Sequence, residues 1–160
     1  MRKHIYLLFL VVLLLQVKAQ SQELDTLINL GNHTIHVNIL QGEGTPILFE
    51  AGNGDDGSVW EPLFKEIYEA TGATLIRYDR AGLGKSGINT SRISFKQEVK
   101  DLQRVLKKLG YRESYFLVAH SFGSFYASEL AQRNKGKIRG AAFIDVATPC
   151  GLNPEYAEKV

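Results

Sequence analysis

The chain has 160 residues, a formal net charge of +2, 44% hydrophobic residues and 22% charged ones, a balance that suits one globular domain. No basic stripe runs along it, so composition gives no reason to expect a nucleic-acid partner. A single cysteine, Cys150, excludes an intrachain disulfide, so stability must come from a buried core.

The first residues read as a leader. Arg2-Lys3 is a short basic start, Ile5 to Leu15 is an unbroken apolar run, and Val17-Lys18-Ala19 places small residues at both ends of a cleavage-type tripeptide. The apolar run is short for a membrane span, which needs ~20 residues. The pattern predicts a signal peptide over residues 1–19, cut between Ala19 and Gln20, and a domain over residues 20–160. The expectation is an exported protein, secreted or periplasmic, with no stable membrane insertion after cleavage. An uncleaved N-terminal anchor is the alternative. Asn32-His33-Thr34 and Asn89-Thr90-Ser91 match the N-glycosylation acceptor pattern, which matters only in a host that glycosylates.

Leu24 to Leu30 and His33 to Leu40 read as two short strands joined by a tight turn at Gly31-Asn32. In the second, Ile35, Val37 and Ile39 alternate with Thr34, His36 and Asn38, which predicts one buried face. His33 and His36 fall on opposite faces of such a strand, which argues against a metal-binding pair. Gln41 to Pro46 reads as a turn. Ile47 to Ala51 is an apolar strand of the kind buried on both faces of a parallel sheet. Gly52 to Gly57 is a flexible acidic loop. Ser58-Val59-Trp60-Glu61 has the form of a capping box and predicts a helix to about Ala70, stopped by Thr71-Gly72.

Ala73 to Tyr78 is the next strand, and Asp79 to Arg92 shows no helical pattern. Ser94-Phe95-Lys96-Gln97 is a second capping box. After it Phe95, Val99, Leu102, Leu106 and Leu109 form one apolar stripe, with Lys96, Lys100, Lys107 and Lys108 towards solvent and Gly110 as the stop. A strand from Tyr115 to Ala119, a helix from Phe122 to Arg133 and a strand from Ile138 to Ile144 follow. Asn153-Pro154 reads as the start of another helix. From Ile47 onward strands and helices alternate. The fold class this implies is α/β, a mostly parallel sheet with helices on both faces and an antiparallel hairpin at one edge.

Two motifs stand at strand ends. In Ala119-His120-Ser121-Phe122-Gly123 a serine lies between a strand and a helix, with a small residue two before it and a glycine two after it. That is the form of a nucleophile elbow, in which strain lifts the hydroxyl clear of the sheet and a helix N-terminus stands behind it. A Ser-x-Gly triplet alone can simply cap a helix. The full strand, small residue, His-Ser-x-Gly and helix pattern favours the nucleophile. Gly82-Leu83-Gly84-Lys85-Ser86-Gly87 matches G-x-G-x-x-G, yet the next helix begins too late to face a pyrophosphate. These glycines read as a tight turn at the sheet's C-terminal edge, with no cofactor and no metal expected.

The resemblance these stretches carry is to the α/β-hydrolase fold family, of serine hydrolase type. Ala119 to Gly123 resembles the family's elbow. Tyr78-Asp79-Arg80-Ala81-Gly82-Leu83-Gly84-Lys85-Ser86 looks like its D-x-x-G-x-G-x-S turn. Phe49-Glu50-Ala51-Gly52-Asn53-Gly54 is similar to the loop after its third strand, where alanine here replaces the usual histidine. The three motifs fall in family order, over about residues 24–148.

The resemblance implies that Ser121 attacks the carbonyl of a small-molecule ester or amide and forms an acyl-enzyme. It implies an oxyanion hole made by the backbone N–H groups of Asn53 and Phe122, with His120 pointing away from the serine hydroxyl. The family triad runs serine, acid, histidine. The histidines here are His4, His33, His36 and His120, and none follows Ser121. Asp145 lies where some members place the acid; a structural strand-end aspartate is the alternative. The family fold usually adds two strands and a cap, so the resemblance implies the N-terminal part of a longer hydrolase, truncated after about the sixth strand. A serine nucleophile argues against dehalogenase-type chemistry, while lyase and perhydrolase relatives share the same elbow. The competing reading is a catalytically inactive fragment or binding remnant with the same half-fold.

Overall fold

A computed structural model describes residues 22–91 and 94–146. The predicted leader, Cys150 and the helix start at Asn153-Pro154 lie outside the described residues. Six strands form one sheet: β1 (Glu23–Asn29), β2 (Thr34–Leu40), β3 (Glu43–Glu50), β4 (Ala73–Tyr78), β5 (Tyr115–His120) and β6 (Ile138–Ile144). Their spatial order is β1-β2-β4-β3-β5-β6. β1 with β2, and β2 with β4, pair antiparallel; β4, β3, β5 and β6 run parallel. Three helices connect them: α1 (Glu61–Thr71), α2 (Phe95–Lys108) and α3 (Gly123–Arg133). None of the helices among the described residues is long and apolar enough to cross a membrane.

Side-chain alternation along the central strands sorts the helices onto two faces. Leu48, Ile76 and Leu117 join the larger core with Val99, Leu102, Val105 and Leu106 of α2 and Ala127 and Leu130 of α3. Phe49 and Leu75 face the other way and pack with Trp60 and with Phe64 of α1. The Phe49 ring lies 5.2 Å from Trp60 and 5.5 Å from Phe64, at tilted and edge-on angles suited to aromatic pairs. The α2 stripe is wider than its spacing suggested, since Val105 and Asp101 are also buried. Asp101 is tolerated there because Arg104, at 3.0 Å, and Gln97, at 3.2 Å, both donate to its Oδ1. Lys96, Lys100, Lys107 and Lys108 are exposed, as expected.

Three local expectations are corrected. β3 begins at Glu43, not Ile47: Glu43 N donates to Gly72 O at 2.8 Å, and the register slips before Ile47, so Gly44-Thr45-Pro46 is an irregular part of the strand rather than a free turn. Ser58 caps nothing. Instead the Asp56 carboxylate accepts from Ser58 N at 2.8 Å and opens a 3-10 turn over Gly57–Trp60, and the Glu61 carboxylate turns to Arg77 at 3.5 Å. β2 buries both faces, not one. His36 and Asn38 sit inside a polar layer made with Asp25 and Asp79 and with Glu23 and Arg77.

The core assignment has a direct check. Leu106 is 1% exposed. Leu106→Ala is expected to cost about 2–5 kcal/mol in urea unfolding, whereas Lys107→Ala, one position along, should stay within about 0.5 kcal/mol.

Candidate active site

β5 delivers Ser121 to the carboxyl edge of the sheet. Ser121 N still donates to Ile144 O of β6 at 2.9 Å, completing the ladder. One residue later Phe122 is already helical, with φ −60°, and Ser124 N donates back to Ser121 O at 3.0 Å. The whole change of direction falls on Ser121, whose φ is +50°. A serine side chain in the left-handed region costs about 1–2 kcal/mol, so this conformation persists only because the strand before it and the helix after it impose it.

The reversal brings α3 hard against β3. A Cβ on Gly123 would lie 2.5 Å from Ala51 O and 2.8 Å from Glu50 O, so only glycine fits. Across the edge, Gly52 is similarly pinched: a Cβ there would lie 2.7 Å from Asp55 Oδ2 and 3.0 Å from His120 Nδ1. His120 therefore leans on the loop after β3. Asn53 stands at the exposed tip of that loop, where Asp55 N reaches Gly52 O at 3.4 Å. Among the described residues, the N–H groups of Asn53 and Phe122 donate to no protein acceptor. Asp145 follows β6 directly, one strand over from Ser121, because His120 pairs with Ile144. Asp145 is exposed, has φ +48° and makes no side-chain hydrogen bond among the described residues.

The glycine-rich turn after β4 is filled by its own aspartate. Asp79 Oδ1 accepts from Gly57 N, and Oδ2 accepts from Lys85 N and faces His36 Nδ1, each at 2.8 Å. Ser86 Oγ donates to Asp79 O at 2.7 Å and accepts from His36 N at 2.8 Å. A side chain on Gly84 would strike the Asp79 carboxylate. The space a phosphate would need is thus occupied by a carboxylate. A cavity of about 160 Å³ lies beside this turn, lined by Asp25, His36, Asp56, Arg77 and Lys85 among others; Ser121 is not part of its wall. Among the described residues no group of three or more His, Cys, Asp or Glu side chains is placed to hold a metal ion.

The sequence reading missed a buried ionic cluster beneath the elbow. Glu50, 4% exposed, accepts from Arg80 Nη1 at 2.7 Å and from the Tyr78 hydroxyl at 2.5 Å. The Arg80 guanidinium also donates to Ala51 O at 2.8 Å and to Gly52 O, and lies over the Tyr126 ring at 4.8 Å. The Tyr126 hydroxyl continues the chain to Glu98 Oε2 of α2 at 2.6 Å. Burial pushes the Glu50 carboxyl up to about 7, against the pull of Arg80 and the Tyr78 hydrogen bond. Burial also disfavours the Arg80 charge, but Glu50 more than offsets this, so Arg80 stays cationic. The sequence signal was a glutamate inside an otherwise apolar strand, Ile47 to Ala51.

Residues 45–159 match the sequence profile of the alpha/beta hydrolase fold family. The chain belongs to this family. It is 38% identical over 104 residues to the uncharacterized protein YqjL of Bacillus subtilis, covering 65% of this chain and 40% of that one. It is 30% identical over 106 residues to the proposed carbamate hydrolase RutD of Azorhizobium caulinodans, covering 66% of this chain and 39% of that one. The solved alpha/beta hydrolase domain-containing protein 10 from mouse superposes with a TM-score of 0.69 at 19% identity, over 85% of this chain and 57% of that one, a likeness of fold. The chain spans about 40% of the length of the two curated relatives.

Two outcomes follow from this geometry. Ser121→Gly should raise stability by about 1 kcal/mol in urea unfolding, because glycine adopts the left-handed conformation without strain. Glu50 holds its proton in the folded protein to a higher pH than in the unfolded chain, where it titrates near 4.5. Its contribution is therefore full below pH 4.5 and is lost as pH rises to about 7, by roughly 3 kcal/mol. Unfolding free energies measured at pH 4.5 and pH 7 should differ by about that much more in the wild type than in Glu50→Gln.

Proposed function

We propose that the chain carries the nucleophile and oxyanion hole of a serine hydrolase acting on a small-molecule ester or amide. The observation that carries the reading is the left-handed Ser121 between β5 and α3, held by a glycine that admits no side chain. Strain of this kind at a strand-to-helix turn is characteristic of functional positions. In this reading Ser121 Oγ bonds to the substrate carbonyl carbon. The carbonyl oxygen becomes an oxyanion between the N–H groups of Phe122 and Asn53, aided by the amino end of α3. The C–O or C–N bond to the leaving group then breaks, leaving an acyl-enzyme that water hydrolyses.

The proton on Ser121 Oγ needs a base. His4, His33, His36 and His120 all precede Ser121, and His36 is engaged by Asp25 and Asp79. The proposal therefore assigns the base to a residue outside this sequence, and Asp145, beside Ser121 across β6, to the acid. The second reading is a non-catalytic binding protein on the same half-fold. The composition of residues 1–19 supports export, with the mature chain beginning at Gln20.

A fluorophosphonate probe separates the two readings. Labelling of the folded chain at Ser121, abolished in Ser121→Ala, is the expected result. A folded chain that takes up no probe sinks the hydrolase reading for this polypeptide. Export is checked on material secreted from the native host: an N-terminal sequence starting at Gln20 is expected, and a retained Met1 on a membrane-bound chain overturns it.

A further inference from the structure

One cation touches both the loop that carries Asn53 and the helix that Phe122 opens. Asn53 follows Ala51 and Gly52, whose carbonyls both accept from Arg80. Phe122 opens α3, whose Tyr126 presents its ring face to the same guanidinium at 4.8 Å. The Phe122 and Tyr126 rings are themselves packed at 6.1 Å. The third side of Arg80 is fixed by Glu50, the last residue of β3, at 2.7 Å. Glu50 in turn is tied to Tyr78 of β4, and its carbonyl lies against Gly123. Arg80 is 6% exposed, so these contacts are not exchanged for water.

We propose that Arg80 is a positioning residue that sets the separation of the Asn53 and Phe122 N–H groups. The idea rests on the serine-nucleophile reading for its catalytic meaning, but not for its structural content. A guanidinium suits the task because its planar fork gives two parallel donors to successive carbonyls while its flat face stacks on Tyr126. Lysine offers a single point charge and cannot do both. The loop needs such a tie because its own closing hydrogen bond, Asp55 N to Gly52 O, is long at 3.4 Å. Glu50 holds the fork in place, and Glu50→Gln keeps an acceptor oxygen there.

The test reads order and reactivity separately in the full chain. Backbone 15N order parameters are measured for Gly52 to Asp55, with Val99 to Leu106 of α2 as reference. In the wild type Asn53 should sit near the rigid limit of about 0.85, and in Arg80→Lys it should fall below about 0.6 while α2 stays unchanged. Glu50→Gln should stay close to the wild type. If Arg80→Lys does not fold, Tyr126→Leu replaces it and should loosen the same loop. An Asn53 order parameter unchanged in the folded variant, or a loss shared equally by α2, overturns the proposal. Fluorophosphonate labelling of Ser121 should slow about tenfold or more in Arg80→Lys, in the maximal rate rather than in the probe concentration needed, because donors aimed at a developing oxyanion act on the transition state. A wild-type chain that takes no label counts against the hydrolase reading alone, and the order parameters still decide the role of Arg80.

Discussion

The carboxyl edge of the sheet depends on a close approach between α3 and β3. Gly123 meets the carbonyls of Glu50 and Ala51 with no room for a methyl group. That contact fixes where α3 starts, and hence how sharply the chain must turn at Ser121. It also fixes the loop after β3 relative to the helix N-terminus. Backbone against backbone is a stiff contact, because neither partner has rotamers to yield. The strained serine, the N–H groups of Asn53 and Phe122 that find no acceptor among the described residues, and the approach of His120 to Gly52 all follow from it.

Beneath that contact the protein keeps a buried ion pair where an apolar layer would be simpler. Removing a carboxylate and a guanidinium from water costs several kcal/mol each, and their attraction returns this only when the remaining donors and acceptors are satisfied. Here they are. Glu50 takes Tyr78 and Arg80, and Arg80 gives its other donors to two main-chain carbonyls. Those carbonyls lie past the end of β3, where no neighbouring strand can reach them. The pair thus extends the hydrogen-bonding of the sheet beyond its last ladder residue.

Much of this was legible in the sequence because the signals were local. The apolar run Tyr115 to Ala119, the Ser-x-Gly turn and the stripe from Phe95 to Leu109 each specify an element by periodicity or sterics alone. What escaped was set by distant partners. β2 reads as half-buried by alternation, yet His36 and Asn38 are buried because partners on β1 and at β4 complete their hydrogen bonds, Asp25 and Asp79 for His36, Glu23 and Arg77 for Asn38. Ser58 and Glu61 match a capping box, but Asp56 takes the Ser58 amide that the Glu61 side chain would have accepted from, and Glu61 turns to Arg77. Arg80 looked like one letter of a turn motif. Its contacts appear only when β3 lies beside β4 and α3 packs against β3.

The strand order carries a consequence for how the chain can assemble. β3 lies at the centre of the parallel region, between β4 and β5. Its first partner, β4, arrives after one helix, but the second must come from Tyr115–His120, across a much longer loop. Contacts so separated in sequence are entropically late. Until that pairing closes, Gly123 has nothing to press against and Ser121 has no reason to leave an ordinary conformation. The left-handed turn at Ser121 therefore depends on a pairing distant in sequence, and not on its local sequence alone.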